Sequence, residues 1–144
     1  WQVVVRGDPA DLKLGHATEL ADNDLPAMES LARAEHFKLH LFADDLSEQG
    51  PGFEVWERRK LVAMGTTGLC MPGVAQIENV VTRKGYRRNG CATAVVSALV
   101  RAHLTKGRLT IAVVDQDNEA ALSLFDKMDF MRERPMYLMH CELN

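Results

Sequence analysis

Only three of the 144 residues are cysteines, Cys70, Cys91 and Cys141, and no two of them form a CxxC pair. An odd and widely spaced set argues against a disulfide framework and against a cysteine zinc site. It points instead to a reducing compartment, with the cytoplasm as the expectation. A cationic excess is also missing, since 17 lysines and arginines against 20 aspartates and glutamates leave a net charge of −3. Proteins that hold nucleic acid by its phosphates carry the opposite balance, so no nucleic-acid partner is expected. Uninterrupted apolar runs extend only a few residues, far short of the roughly 20 that span a bilayer. No basic segment followed by an apolar one opens the chain, so neither a membrane partner nor a leader is expected. Nothing repeats, no segment is low in complexity, and no linker divides the chain.

What is present is a globular composition, 47% hydrophobic and 26% charged, at a length that suits one domain. A single domain over residues 1–144 is the expectation. The chain opens on Trp1 instead of Met, which leaves room for residues 1–11 to extend from a preceding domain. Val3, Val4 and Val5 form a β-branched run, and Leu12–Leu20 reads as a strand. Asn23 or Asp24 caps a helix with Pro26 in its first turn, and Leu25, Met28, Leu31 and Ala32 carry it to about His36. Residues 37–52 hold acids at Asp44, Asp45 and Glu48 and end in Gly-Pro-Gly, which predicts a short helix and a loop.

Strands are predicted over Phe53–Glu57, Leu61–Leu69 and Val74–Thr82. Cys91–Lys106 is the clearest helix, with Gly107 as a left-handed C-terminal cap. Leu109–Val114 is an apolar strand of the kind buried on both faces. Asp117 or Asn118 caps a helix whose Ala121, Leu124, Phe125 and Met128 face inward. Phe130–Leu143 closes the chain as a strand broken near Pro135. The order implies a mixed sheet with helices packed on it.

Chemistry concentrates between the third of those strands and the clearest helix. Arg83, Lys84, Arg87 and Arg88 crowd six residues without an acid, and Asn89-Gly90-Cys91-Ala92 opens the helix. A helix N-terminus carries unpaired N–H groups and about half a positive charge, which suits a phosphate. Gly90 and Ala92 let a pyrophosphate approach the backbone closely. A solvated basic loop before an ordinary helix explains the same residues. The segment is neither a Walker loop nor the three-glycine dinucleotide fingerprint.

A second segment, Asn118-Glu119-Ala120-Ala121-Leu122-Ser123-Leu124-Phe125-Asp126-Lys127-Met128-Asp129-Phe130, follows the buried strand. Taken together, the two segments resemble the GNAT (N-acetyltransferase) superfamily. Arg87–Ala92 is similar to its Arg/Gln-x-x-Gly-x-Gly/Ala coenzyme A loop. Asn118–Phe130 is similar to its Asn-x-x-Ala-x-x-Leu-Tyr-x-x-x-Gly-Phe helix. The likeness covers about Leu12 to Leu143, and Thr82–Tyr86 with Cys91-Ala92-Thr93 look most like the FR47-type branch.

The resemblance implies an α/β fold with a central mixed, mostly antiparallel sheet and flanking helices. Two parallel strands, Val74–Thr82 and Leu109–Val114, would splay apart, with acetyl-CoA lying in the wedge. Backbone groups of Val80, Val81 and Thr82 would pair with the pantetheine. Arg87, Arg88, Asn89, Gly90, Cys91, Ala92 and Thr93 would hold the pyrophosphate. Asn118 would reach the pantetheine arm, although a helix cap explains it as well. The implied reaction is direct attack of a primary amine, small molecule or peptide, on the acetyl thioester. Holding coenzyme A without turnover is the alternative. No metal is implied, and a homodimer is left open.

Two positions depart from the pattern. Phe125 stands where many members carry a tyrosine that protonates the leaving thiolate, so only a place in the coenzyme site passes to it. Asp129 replaces a glycine in a left-handed turn position. Direct attack needs a base to take a proton from the ammonium group. Glu78, on the strand beside the expected acetyl group, is the candidate, and Gln76 shares its face. Tyr137, on the last strand, is the candidate thiol acid, and a half-buried structural tyrosine is the other reading of it. His36 and His40 lie four apart on a possible helix face without a third ligand. Cys91 sits at a helix N-terminus, a location that lowers a thiol pKa.

Overall fold

The computed structural model describes residues 1–5, 15–41 and 50–137. Its strands are β1 (Gln2–Val5), β2 (Thr18–Glu19), β3 (Gly52–Glu57), β4 (Lys60–Met71), β5 (Val74–Thr82), β6 (Leu109–Val113) and β7 (Phe130–Arg134). Three α-helices occur among the described residues, α1 (Leu25–Ala34), α2 (Cys91–Thr105) and α3 (Glu119–Lys127). The strands form one sheet in the order β2-β3-β4-β5-β6-β1-β7, antiparallel throughout except for the parallel pair β5–β6. This is the mixed, mostly antiparallel sheet with flanking helices that the resemblance implied.

Alternation along the strands feeds two cores, one on each face. Val55, Val62, Ile77 and Ala112 pack with Val95, Val96, Leu99 and Val100 of α2 and with Leu122 and Phe125 of α3. On the other face Leu61, Met64 and Val81 pack against Met28, Leu31 and Ala32 of α1. Gly65 sets the depth of α2: a Cβ there would come within 2.7 Å of Val95 Cγ1. The helix lies that close because the strand offers no side chain under it.

Four expectations change at their edges. Of the strand expected over Leu12–Leu20, the described part pairs only at Thr18–Glu19, and residues 6–14 lie outside the described residues. Gly15 lies against α2, where a Cβ would meet Ala94 Cβ at 2.6 Å, so the chain there crosses a helix instead of pairing. Helix α1 stops at Ala34, because His36 turns left-handed (φ +52°) and Phe37 N–H returns to Ala32 O at 2.8 Å. That is the 6→1 closure of a Schellman motif, with histidine in the usual glycine place. Residues 37–41 are neither helix nor strand, and 42–49, with Asp44, Asp45 and Glu48, lie outside the described residues. The last strand ends at Arg134, since Pro135 has no N–H to give the ladder, and 138–144 lie outside the described residues.

The placement of β1 carried no sequence signal. It lies between β6 and β7, antiparallel to both, with Val3 opposite Ala112 and Arg132. Trp1 O accepts from Val114 N–H at 2.8 Å at the edge of that ladder.

Candidate active site

The β5–β6 ladder begins at Val74↔Leu109 and ends at Ile77↔Ala112. Among the described residues nothing pairs with the β6-facing edge of β5 after that point, so the wedge opens one residue before Glu78. Both strands run the same way, and each leads into a helix, β5 into α2 and β6 into α3. The two helix N-termini therefore stand at the open end of the wedge.

Glu78 projects from the face opposite α2, because its neighbour Ile77 belongs to the α2-side core. Its Oε1 accepts from Gln76 Nε2 at 2.8 Å. Burial pushes its pKa above the usual carboxylate range, while a charge on His40 and the Gln76 bond pull the other way. A carboxyl group held in this state is a better proton acceptor near neutrality than an exposed one. Under it runs Gly68 of β4, which contributes no side chain.

After Glu78 the strand bulges. Thr66 opposes Glu78 and Met64 opposes Val81, so Asn79 and Val80 together face Gly65, and Asn79 takes φ +53°. Val80 packs on the α2-side core and Val81 on the α1-side core. Their side chains are structural, which leaves only backbone groups for a ligand. Thr82 O accepts from Arg87 Nε at 3.1 Å, so that carbonyl is already engaged.

Beyond β5, Lys84–Tyr86 makes one 3-10 turn and the chain enters α2 through Arg88 (φ +63°) and Gly90 (φ +79°). Left-handed residues alternating with others turn backbone N–H groups toward one concavity. Among the described residues no side chain caps α2, and the first N–H to find a carbonyl is that of Ala94, on Gly90 O at 2.9 Å. The amides of Cys91, Ala92 and Thr93 precede any partner in the helix. Among the described residues nothing lies within 4 Å of a Cβ built at Gly90. Uncapped amides, small residues and exposed Arg88 fit a pyrophosphate.

Arg87 is placed differently from expectation. Its guanidinium is tied to Glu35 Oε2 at 2.7 Å as well as to Thr82 O, and Glu35 Oε1 also accepts from Lys84 N–H at 3.0 Å. Arg87 therefore braces the loop against the C-terminal end of α1. Cys91 needs a correction: its thiol is buried, and burial with the charge of Glu57 raises its pKa, outweighing the helix terminus. His36 and His40 do not share a helix face, because α1 ends before both.

On the far side of the wedge, Asn118 Oδ1 accepts from Ala121 N–H at 3.1 Å and caps α3. Phe125 lies in the core, its ring 4.8 Å from that of Phe130 in an edge-on arrangement. Asp129 adopts the left-handed conformation (φ +59°) expected of it. Tyr137 stands beyond the end of β7 and is 91% exposed, neither on a strand nor half-buried. Proline ends the ladder two residues before it.

Several contacts of the site carry little or no sequence signal. Asn79 interrupts the Glu78-Val80 run, and asparagine's tolerance of left-handed backbone was the one available signal. Glu35, Gly68 and His40 act through contacts 49, 10 and 39 residues away in sequence, which no local pattern reports. Glu54 is buried on β3, with burial raising its pKa, a Trp56 hydrogen bond opposing and Asp24 adding to the rise; among the described residues its Oε2 has no hydrogen-bond partner.

The family model for the acetyltransferase (GNAT) family matches residues 17–130. No curated protein matches. Among solved structures, a GNAT-family protein from Novosphingobium aromaticivorans superposes with a TM-score of 0.80 at 22% identity. That match covers 92% of this chain, which spans 59% of the length of its relative. The ribosomal-protein-S18-alanine N-acetyltransferase of Escherichia coli superposes at 0.68 with 19% identity, over 82% of this chain and 78% of that one. An aminoglycoside acetyltransferase from an uncultured soil metagenomic sample gives 0.68 at 17% identity, over 89% and 95% respectively. At these identities the likeness is one of fold. No described helix is long and apolar enough to cross a membrane.

Proposed function

The chain belongs to the acetyltransferase (GNAT) family, and on that premise we propose that it transfers the acetyl group of acetyl-CoA to a primary amine by direct attack. The observation that carries the reading is the wedge: β5–β6 pairing ends at Ile77/Ala112, one residue before Glu78, with the uncapped N-terminus of α2 at the same end. Acetyl-CoA supplies the activated acetyl thioester. Arg88 and the amides of Asn89 to Thr93 bind its phosphates, and the free edge of β5 at Val80 and Val81 receives the extended arm. Asn118 borders that arm from the start of α3. Glu78 accepts the proton of the acceptor ammonium, leaving a neutral amine to attack. For the departing thiolate the candidate acid is Tyr137.

The acceptor class follows from the same chemistry, a small-molecule or peptide amine. Two of the superposed enzymes are named for a protein alanine and for aminoglycosides, which brackets both kinds. We assign the domain to the FR47-type branch on Thr82–Tyr86 and Cys91–Thr93, and to the cytoplasm on its cysteine usage. The test is release of free thiol from acetyl-CoA across a panel of primary amines and peptides. Amine-dependent release supports the reading.

A second reading, coenzyme A held without turnover, is favoured by one observation. Phe125 carries no hydroxyl, and Tyr137 stands in solvent. Tight coenzyme binding without thiol release for any amine would select it.

A further inference from the structure

Asn79 is 5% exposed, and its amide is engaged away from its own strand. Oδ1 accepts from His40 N–H at 2.9 Å, while Nδ2 donates to His40 O at 2.5 Å and to Thr66 Oγ1 at 2.8 Å. One side-chain amide thus takes both backbone groups of a residue 39 positions away, as a neighbouring strand would. The bulge makes this possible, because it brings Asn79 back to the face that carries Glu78 and Thr66. The segment it grips, residues 37–41, has no helix or strand of its own. A regular strand with an apolar residue at this position would avoid both a left-handed non-glycine residue and a buried amide. Packing alone does not account for it.

We propose that Asn79 is a positioning residue for the reaction: it pins His40, and with it the 37–41 segment, as a wall beside the Glu78 carboxylate where the acceptor amine gives up its proton. The proposal rests on Glu78 being the proton acceptor. His40 itself is exposed, and its imidazole acts on Glu78 by charge. Among the described residues, the groups that face Glu78 are Gln76 on its own strand, Thr66 and side-chain-free Gly68 on β4, and His40 from the pinned segment. Of these only His40 can carry a positive charge. Protonated His40 favours the carboxylate form of Glu78, so the pinned wall extends activity toward acidic pH.

The experiment is the pH dependence of kcat/KM in His40→Gln, Asn79→Ala, their double variant and Glu78→Gln. His40→Gln moves the acidic limb to higher pH and lowers the rate on that limb by about threefold, the worth of one solvent-screened charge pair. The shift shrinks in about 1 M salt, which a purely structural effect would not do. Asn79→Ala reproduces the shift, and the double variant shows no further one, because both changes remove the same imidazole. If Asn79→Ala does not fold cooperatively, Asn79→Asp replaces it, keeping the bond from His40 N–H and losing the donations to His40 O and Thr66. An acidic limb unmoved in folded His40→Gln or Asn79 variants, while Glu78→Gln abolishes it, overturns the proposal alone. Additive shifts in the double variant also overturn it. A limb that persists in Glu78→Gln removes the proton acceptor, and the proposal falls with it.

Discussion

The side chain of Glu78 lies over Gly68: a Cβ built on Gly68 would stand 2.3 Å from Glu78 Cδ and 2.6 Å from its Oε1. Two antiparallel strands, β4 and β5, thereby make a recess one side chain deep, and the carboxylate occupies it. The same recess explains why burial raises the pKa of Glu78 while Gln76 still reaches it.

Gly68→Ala therefore displaces the carboxylate without touching the coenzyme loop. Turnover falls by about 10- to 100-fold, since a shift near 1 Å at a reacting group costs on that order. Acetyl-CoA affinity stays within about twofold. Steady-state kinetics beside calorimetric titration with acetyl-CoA distinguish this from a general loosening, which would lower both.

Arg87 and Arg88 separate by the salt dependence of coenzyme binding. The charge of Arg87 is already met by Glu35 at 2.7 Å, whereas Arg88 is exposed on the turn into α2. Arg88→Ala weakens acetyl-CoA binding and flattens its decline with rising salt, because one free cation has been removed. Arg87→Ala weakens binding through a loosened loop and leaves the slope nearly unchanged. Titrations at three salt concentrations read both.

His103 predicts an acid-sensitive fold. Its ring is fully buried, with Nε2 2.8 Å from Thr67 Oγ1 and Nδ1 3.1 Å from Thr110 Oγ1. Thr67 donates its hydroxyl proton to Pro51 O at 2.6 Å, so it accepts from Nε2–H. Burial, with Arg108 and Lys106 adding, lowers the pKa to about 4. A depressed histidine pKa means that the unfolded chain binds the extra proton first. Stability is intact above about 6.5 and declines as pH falls toward about 4, by up to about 3 kcal/mol. Glu54 and Glu78, with raised pKa values, act in the opposite sense, so the histidine's share is the difference between the native chain and His103→Leu. Urea unfolding from pH 4 to 7 should give a slope that the variant lacks.

Much of this was legible locally. The strand Val74–Thr82 and the start of α2 at Cys91 follow from alternation, from a basic turn and from glycine, each a property of adjacent residues. Asn118 as a cap and Asp129 as a left-handed residue follow from their own side chains in the same way. The wall around Glu78 was not legible, because Gly68, Asn79 and His40 meet only once β4, β5 and the chain after α1 are assembled. The tie of Arg87 to Glu35 was not legible either, because the two are 52 residues apart. The half-buried setting read for Tyr137 failed for the converse reason. Nothing after Pro135 pairs it to the sheet among the described residues.

Glu78→Gln is the most direct measurement, made as a pH profile of acetyl transfer to the best amine, with acetyl-CoA affinity determined alongside. Glutamine keeps the shape over Gly68 and removes the proton acceptor. The predicted result is coenzyme affinity within about twofold, turnover lower by about 10²–10⁴-fold, and no acidic limb. Turnover at the native rate with the limb intact would contradict it.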